Sequence, residues 1–292
     1  MSTQPPTNIL VLGAGELGTS ILKALSSLSP PTTKISVLLR PATINTTTPS
    51  KQAELNLLSS LNIIFVPGDV VTSSPTELST LFKPYDLVIS SLGFVSGPGL
   101  QVKITKAVLE AGVKRYVPWQ FGVDYDVVGR GSVQPVWDEQ LDVRELLRGQ
   151  SGTEWVIVST GLFMSMLFEA WYGVVDLDAE EAADGEGEGK GVVRALGSWG
   201  TEVTVTTPED IGLLTAKVVF AVGEERVGSE VVYVAGETVS YSRVAWVVDS
   251  VLERRLRREV WSVDCKFLSS PGVASECRKS GNECRCQKVV HS

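Results

Sequence analysis

Apolar positions along this chain follow two alternating periods, and each change of period falls at glycine, proline or small polar residues. Asn8 to Leu12 is a continuous apolar run, the pattern of a strand buried on both faces. Gly13, Gly15 and Gly18 follow, while Leu17, Ile21, Leu22 and Leu25 recur at helical spacing. Lys34 to Arg40 predicts a second strand, and after a polar loop to about Ser50 the run QAELNLLSSL predicts a helix. NIIFVPGD, ending at Asp69, reads as a strand, Pro75 to Phe82 as a helix, and Asp86 to Gly93 as a strand. Gly99 to Gly112 is a helical pattern closed by glycine, VKRYVPWQFG a fifth strand, PVWDEQLDVRELLRG a helix, and TEWVIVSTGLF the strand after it. This alternation predicts an α/β fold over residues 1–164: a Rossmann, doubly wound parallel sheet with helices on both faces.

Beyond about Ser165 the pattern changes. The insert VVDLDAEEAADGEGEGKG carries seven carboxylates against one basic residue, which predicts a mobile surface loop. Short strands around VVRALG and VTVTT follow, then a helix from Pro208 with Glu209 and Asp210 in its first turn, a strand EVVYVAG, and a helix YSRVAWVVDSVLERRL. Residues 165–264 are therefore expected to form a small C-terminal substrate lobe interleaved with the sheet. From Cys265 the apolar periodicity is lost, so residues 265–292 predict a poorly ordered tail.

Composition narrows the class. With 292 residues and 43% hydrophobic content the chain can bury a large core. A net charge of -8 argues against nucleic acid as a partner. No apolar run is long enough to span a bilayer and MSTQPPT lacks the regions of a signal peptide, so a cytoplasmic protein without membrane contact is expected. Cys265, Cys277, Cys284 and Cys286 all fall in the tail, and their spacing with His291 lacks the paired knuckles of zinc folds; no metal is expected.

The chemistry lies in the opening strand, glycine turn and helix, the arrangement that cradles a dinucleotide. Gly13 suits the tight turn, Gly15 the close approach of a pyrophosphate, and Gly18 the packing of helix on strand. Arg40, at the end of the second strand, stands where NAD-binding forms place an acid; an arginine there suits a 2′-phosphate and favours NADPH, the other reading being a solvated strand-end charge. Ligands of such sheets sit at the carboxyl ends of the strands, so Ser90 to Gly93, Trp119 to Gly122 and Thr160 to Phe163 are expected to converge on the nicotinamide end.

Taken together, the glycine turn, VKRYVPWQFG, WDEQLDVRELL, WVIVSTGLF and TTPEDIG resemble the NmrA-like and isoflavone-reductase-like family of atypical short-chain dehydrogenases, its fungal CipA-type members above all. The resemblance implies NADPH (NADP) as cofactor, with Gly13, Gly15, Leu17 and Gly18 at the pyrophosphate and Arg40 at the 2′-phosphate. By the same resemblance Ser91, Leu92, Gly93 and Phe121 border the nicotinamide. Plant reductases of the family carry a lysine where this chain has Gln140, and an amide cannot exchange a proton as an acid or base. No tyrosine is followed by lysine at Y-x-x-x-K spacing. Proton donors are therefore sought among Asp124, Tyr125, Asp126, Asp138 and Glu139, where burial beside Trp119 and Trp137 would raise a carboxyl pKa. An apolar substrate pocket is expected from Trp119, Gln120, Trp137, Phe163 and Phe168. Two functions follow: an NADPH-dependent oxidoreductase reducing an aromatic or other secondary metabolite, or an NmrA-like sensor that binds the cofactor without turnover and signals to a protein partner.

Overall fold

The computed structural model describes residues 4–94, 97–132, 135–180, 190–262, 275–280 and 283–288, with Pro135 and the last two spans described through their backbone alone. In chain order the elements begin β1 (Asn8–Leu12), α1 (Glu16–Leu28), β2 (Lys34–Leu39), α2 (Pro41–Ile44), α3 (Pro49–Ser60), β3 (Ile64–Pro67), α4 (Pro75–Phe82), β4 (Leu87–Ser90) and α5 (Leu100–Ala111). Then come β5 (Arg115–Val117), α6 (Tyr125–Val128), α7 (Pro135–Arg148), β6 (Glu154–Ser159), β7 (Leu162–Phe163), β8 (Val175–Asp176), β9 (Val192–Leu196) and β10 (Glu202–Thr206). The chain continues through α8 (Pro208–Phe220), β11 (Glu230–Tyr233), β12 (Glu237–Ser240), α9 (Tyr241–Leu252), β13 (Arg257–Trp261), β14 (Ser275–Ser280) and β15 (Glu283–Lys288).

These elements fall into two compact units, Met1–Gly161 with Thr207–Val234, and Leu162–Thr206 with Ala235–Ser292. The first is a parallel seven-stranded sheet in the order β11-β6-β5-β4-β1-β2-β3, the doubly wound architecture expected from sequence. Its central strands are mostly apolar because helices cover both faces: Ile9, Leu10, Val11 and Leu12 are fully buried, as are Leu87, Val88 and Ile89. One core packs Leu10, Leu12, Val88 and Ile157 of the sheet against Phe82, Ile104, Val108 and Leu147 of the helices. Each such side chain contributes roughly 2 kcal/mol by leaving water.

The first unit runs to Gly161 and takes in Thr207–Val234, which returns to the sheet. β11 pairs with β6 in parallel, Glu230 opposite Val156 through Tyr233 opposite Ser159. α8 packs on α1 through Gly212, where a Cβ would meet the Ser20 carbonyl atoms at 2.6 Å. The run WVIVSTGLF is two strands, divided at Gly161, whose φ of +72° is left-handed and ends β6.

The second unit has two three-stranded sheets, β12-β10-β7 and β13-β9-β8. Its core gathers Val193, Ala195 and Val205 with Tyr241, Val244 and Val248 of α9. The acidic insert lies outside the described residues from 181 to 189, as does the tail apart from β14 and β15, whose backbones pair antiparallel. Among the described residues no helix is long and apolar enough to cross a membrane.

Candidate functional site

The carboxyl ends of β1, β2 and β4 bring the glycine turn together. Gly13 has φ +90° and donates its N–H to the Leu38 carbonyl of β2 at 3.1 Å, so the turn is pinned to the neighbouring strand. A side chain at Gly13 would in addition strike Leu92 Cδ2 at 2.7 Å. Gly18 is closed in more tightly: a Cβ there would lie 2.4 Å from the Gly13 carbonyl oxygen and 2.6 Å from Ser91 Oγ. At Gly15, by contrast, a Cβ would meet nothing within 4 Å, so the backbone there borders open space. Gly15 is the N-cap of α1 and offers no side chain to the first-turn amides. Those N–H groups carry the positive end of the helix dipole toward that space. Leu17 is buried, which restricts it to backbone contact with anything bound at the turn.

Arg40 follows β2 two residues beyond Leu38, the carbonyl that holds Gly13. It is exposed, and its guanidinium has no hydrogen bond or ion pair among the described residues. Lys51, the other cation of this loop region, is paired with Glu54. A turn closed to side chains at Gly13 and Gly18, a helix start with no side-chain cap from Gly15 and an unpartnered cation on the adjacent strand together suit a dinucleotide carrying an extra phosphate.

Behind the turn, Ser91 Oγ donates to the Leu12 carbonyl at 2.8 Å and lies 3.1 Å from that of Gly13. The hydroxyl therefore braces the turn from beneath. The Leu92 carbonyl accepts from Gln101 Nε2 of α5 at 2.6 Å, and Gly93 lies against the indole of Trp119. Trp119, half-buried, meets Phe94 edge-on at a centroid distance of 4.3 Å. Phe121 is 2% exposed, in the core. The Gly122 carbonyl accepts from the Thr160 and Gly161 amides at 3.0 and 3.1 Å, so the ends of β4, β5 and β6 do come together. Phe163 and the exposed Phe168 belong to the second unit.

Gln140 lies on α7 and is fully buried, with neither Oε1 nor Nε2 bonded among the described residues. One turn further along α7, the buried Arg144 holds a network that sequence reading missed. Its Nε donates to Gln120 Oε1 at 2.8 Å, while Gln120 Nε2 donates to the Gln140 backbone carbonyl at 2.8 Å. Gln120 is thus a fully buried brace, its amide occupied at both ends. Arg144 Nη1 reaches Asp124 Oδ1 at 3.0 Å and Asp126 Oδ2 at 2.6 Å, and its guanidinium lies 5.5 Å from the centre of the Tyr125 ring. The available signal was an arginine on the otherwise apolar face of α7, four residues after Gln140.

These partners reverse the expectation of raised carboxyl pKa values. Hydrogen bonds from Arg148, reinforced by Arg144, lower Asp126 from 3.8 to about 2. For Asp124 burial pushes upward, but hydrogen bonds from Tyr233 and Arg144 outweigh it and hold the carboxyl below its ordinary value. Both are anions at neutral pH and give no proton. Glu139 caps α5, accepting from the amides of Gly99, Gln101 and Val102 at 2.7 to 3.1 Å, and Asp138 accepts from Gly131 N at 3.0 Å. Tyr125 is buried, which raises its phenol pKa, and its ring stands edge-on to Trp137 at 6.5 Å.

The NmrA-like family model matches residues 5–269, so the chain belongs to that family. It is 49% identical over 259 residues to an NmrA-like family domain-containing oxidoreductase of Gibberella moniliformis, an alignment covering 88% of this chain and 81% of the relative. It is 30% identical over 238 residues to phenylcoumaran benzylic ether reductase 1 of Arabidopsis thaliana, covering 80% of this chain and 70% of that protein. Among solved structures, the binary complex of leucoanthocyanidin reductase with NADPH from Vitis vinifera shares the fold, with a TM-score of 0.67, 20% identity, and coverage of 88% of this chain and 78% of that one.

Proposed function

We propose that this NmrA-like family member is an NADPH-dependent reductase of a small aromatic metabolite. The observation that carries the reading is the glycine cradle at α1 with the unpartnered Arg40 beside it. The fungal relative named as an oxidoreductase and the plant benzylic ether reductase support it. Gly13 and Gly18 shape the turn, the α1 amides face the pyrophosphate, and Arg40 forms a charge-assisted pair with the 2′-phosphate. When bound, the nicotinamide supplies hydride to an electrophilic carbon of the substrate. Gly93, Phe94 and Trp119 give that region an apolar wall. The Gln140 amide is buried and cannot exchange a proton as acid or base, so the proton comes from water.

Titration calorimetry tests the cofactor assignment. NADPH is expected to bind more tightly than NADH, and Arg40→Ala to lower NADPH affinity by about tenfold or more while leaving NADH unchanged. Equal losses for both coenzymes, or no loss, would refute the role of Arg40. A sensor that binds the cofactor without turnover is the second reading, favoured by Gln140 and by the two aspartates held as anions. NADPH oxidation over a panel of aryl ethers and conjugated aryl ketones separates the two: oxidation supports the reductase, and tight binding without oxidation supports the sensor.

A further inference from the structure

At the opposite ends of the strands, where they begin, the first unit contains a cavity of about 680 Å³. Arg115 is the first residue of β5 and Glu154 the first of β6, and both line it. Arg226, in the loop before β11, places Nη2 at 2.6 and 2.7 Å from the two Glu154 oxygens. Arg115 Nε stands 3.1 Å from Glu154 Oε1. Two guanidinium groups therefore share one carboxylate, and the three side chains are only 9%, 18% and 7% exposed for Arg115, Arg226 and Glu154.

The excess positive charge is localised by the remaining bonds. Arg115 also donates to the Val219 carbonyl at 3.1 Å and the Val227 carbonyl at 3.0 Å, so the negative end of α8 helps to offset it. Elsewhere on the wall, Lys114 is paired with Asp86 at 2.6 Å and Arg148 with Asp126. Arg226 is left with Nε and Nη1 unpartnered among the described residues. The two guanidinium groups carry one positive charge more than Glu154 offsets, and the remaining Arg226 donors can bond a further anion. Trp155, Leu147, Val219 and Ala221 supply an apolar surface beside it. The volume lies within the range of small-molecule sites and exceeds what an inorganic ion would fill.

We infer that this cavity is a second ligand site, for a small organic anion whose carboxylate pairs with Arg226 and whose flat or aliphatic body lies on the apolar wall. The probes are 2-naphthoate, its neutral counterpart 2-naphthamide, and inorganic phosphate, each titrated calorimetrically into the full chain. One equivalent of 2-naphthoate is expected to bind, about tenfold or more tightly than either other probe. Because the glycine turn lies at the other ends of the strands, saturating NADPH leaves this binding intact. Arg226→Gln is expected to lower naphthoate affinity about tenfold. Ala221→Trp fills the cavity without changing charge and is expected to abolish binding, which keeps the test decisive if loss of Arg226 unsettles Glu154 and the fold. Equal affinity for naphthoate and naphthamide, tightest binding of phosphate, displacement by NADPH, undiminished affinity in Ala221→Trp, or no heat with any probe would each overturn the inference.

Discussion

The glycines of the turn separate folding from binding, because their surroundings differ. A Cβ on Gly18 has nowhere to go, since the atom it meets at 2.4 Å is a backbone carbonyl. Gly18→Ala is therefore expected to lose roughly 1 to 3 kcal/mol of stability, read as a lower denaturation midpoint, and to weaken NADPH binding as the turn shifts. Gly15→Ala meets open space at an ordinary φ of -76°, so stability should stay within about 0.5 kcal/mol. Its NADPH affinity should nevertheless fall, because the methyl group occupies the space into which the pyrophosphate must come. Wild-type affinity in Gly15→Ala would mean that no phosphate approaches that backbone. Arg144 is the opposite kind of residue, fully buried and bonded to Gln120, Asp124 and Asp126. Arg144→Met would leave the Gln120 oxygen without its donor and the two aspartates without their shared cation, at a cost of roughly 3 kcal/mol in chemical denaturation. A loss below about 1 kcal/mol would show that solvent takes over the role of the guanidinium.

At the scale of elements, α8 shows where sequence was legible and where it was not. Its start is written locally: Thr207 accepts from Asp210 N at 3.0 Å, Pro208 is the first helical residue, and Glu209 and Asp210 sit in the first turn. Its partner is not, because nothing near Gly212 in the chain reveals that Ser20 lies against it. Gly212→Ala is expected to force α8 away from α1 and to cost roughly 1 to 3 kcal/mol, again as a shifted denaturation midpoint. No change would mean that the two helices slide apart freely. The same division runs through the site. The turn and Arg40 are consecutive with strands whose apolar runs announce them, and so they were readable. The bonds joining Gln120, Asp124, Asp126 and Arg144, and those of Glu154 with Arg115 and Arg226, link residues whose nearness is created by the parallel sheet. Charged residues at strand starts and on a helix face look solvated in sequence; only the crossover connections show what they meet. WVIVSTGLF reads as one strand because only Ser159, Thr160 and Gly161 separate its two apolar runs, while the left-handed Gly161 turns the chain out of the sheet.

At the scale of the whole molecule, the ion pairs at both ends of the strands give the fold a defined response to acid. Asp126 is held near 2 against an ordinary 3.8, first by its bonds with Arg148. Asp124 is held low by Tyr233 and Arg144 against the upward push of burial, and Asp86 by Lys114 and Thr7 against the same push. Each folded carboxyl takes up its proton at lower pH than its unfolded counterpart. As pH falls below 3.8 the unfolded chain binds more protons than the folded one, and the equilibrium moves toward unfolding. The contribution of these groups is complete above their unfolded values and is lost progressively on the way down to about 2. Chemical denaturation midpoints measured at stepped pH should therefore be flat, as far as these groups are concerned, from neutrality to about pH 5 and fall steeply below pH 4. Asp126→Asn removes the most strongly shifted of the three, so its midpoint should start lower at neutral pH and decline less between pH 4 and pH 2. If the variant and the wild type fell in parallel, Asp126 would ionise alike in the folded and unfolded chain, and its pairs with Arg144 and Arg148 would contribute nothing to stability.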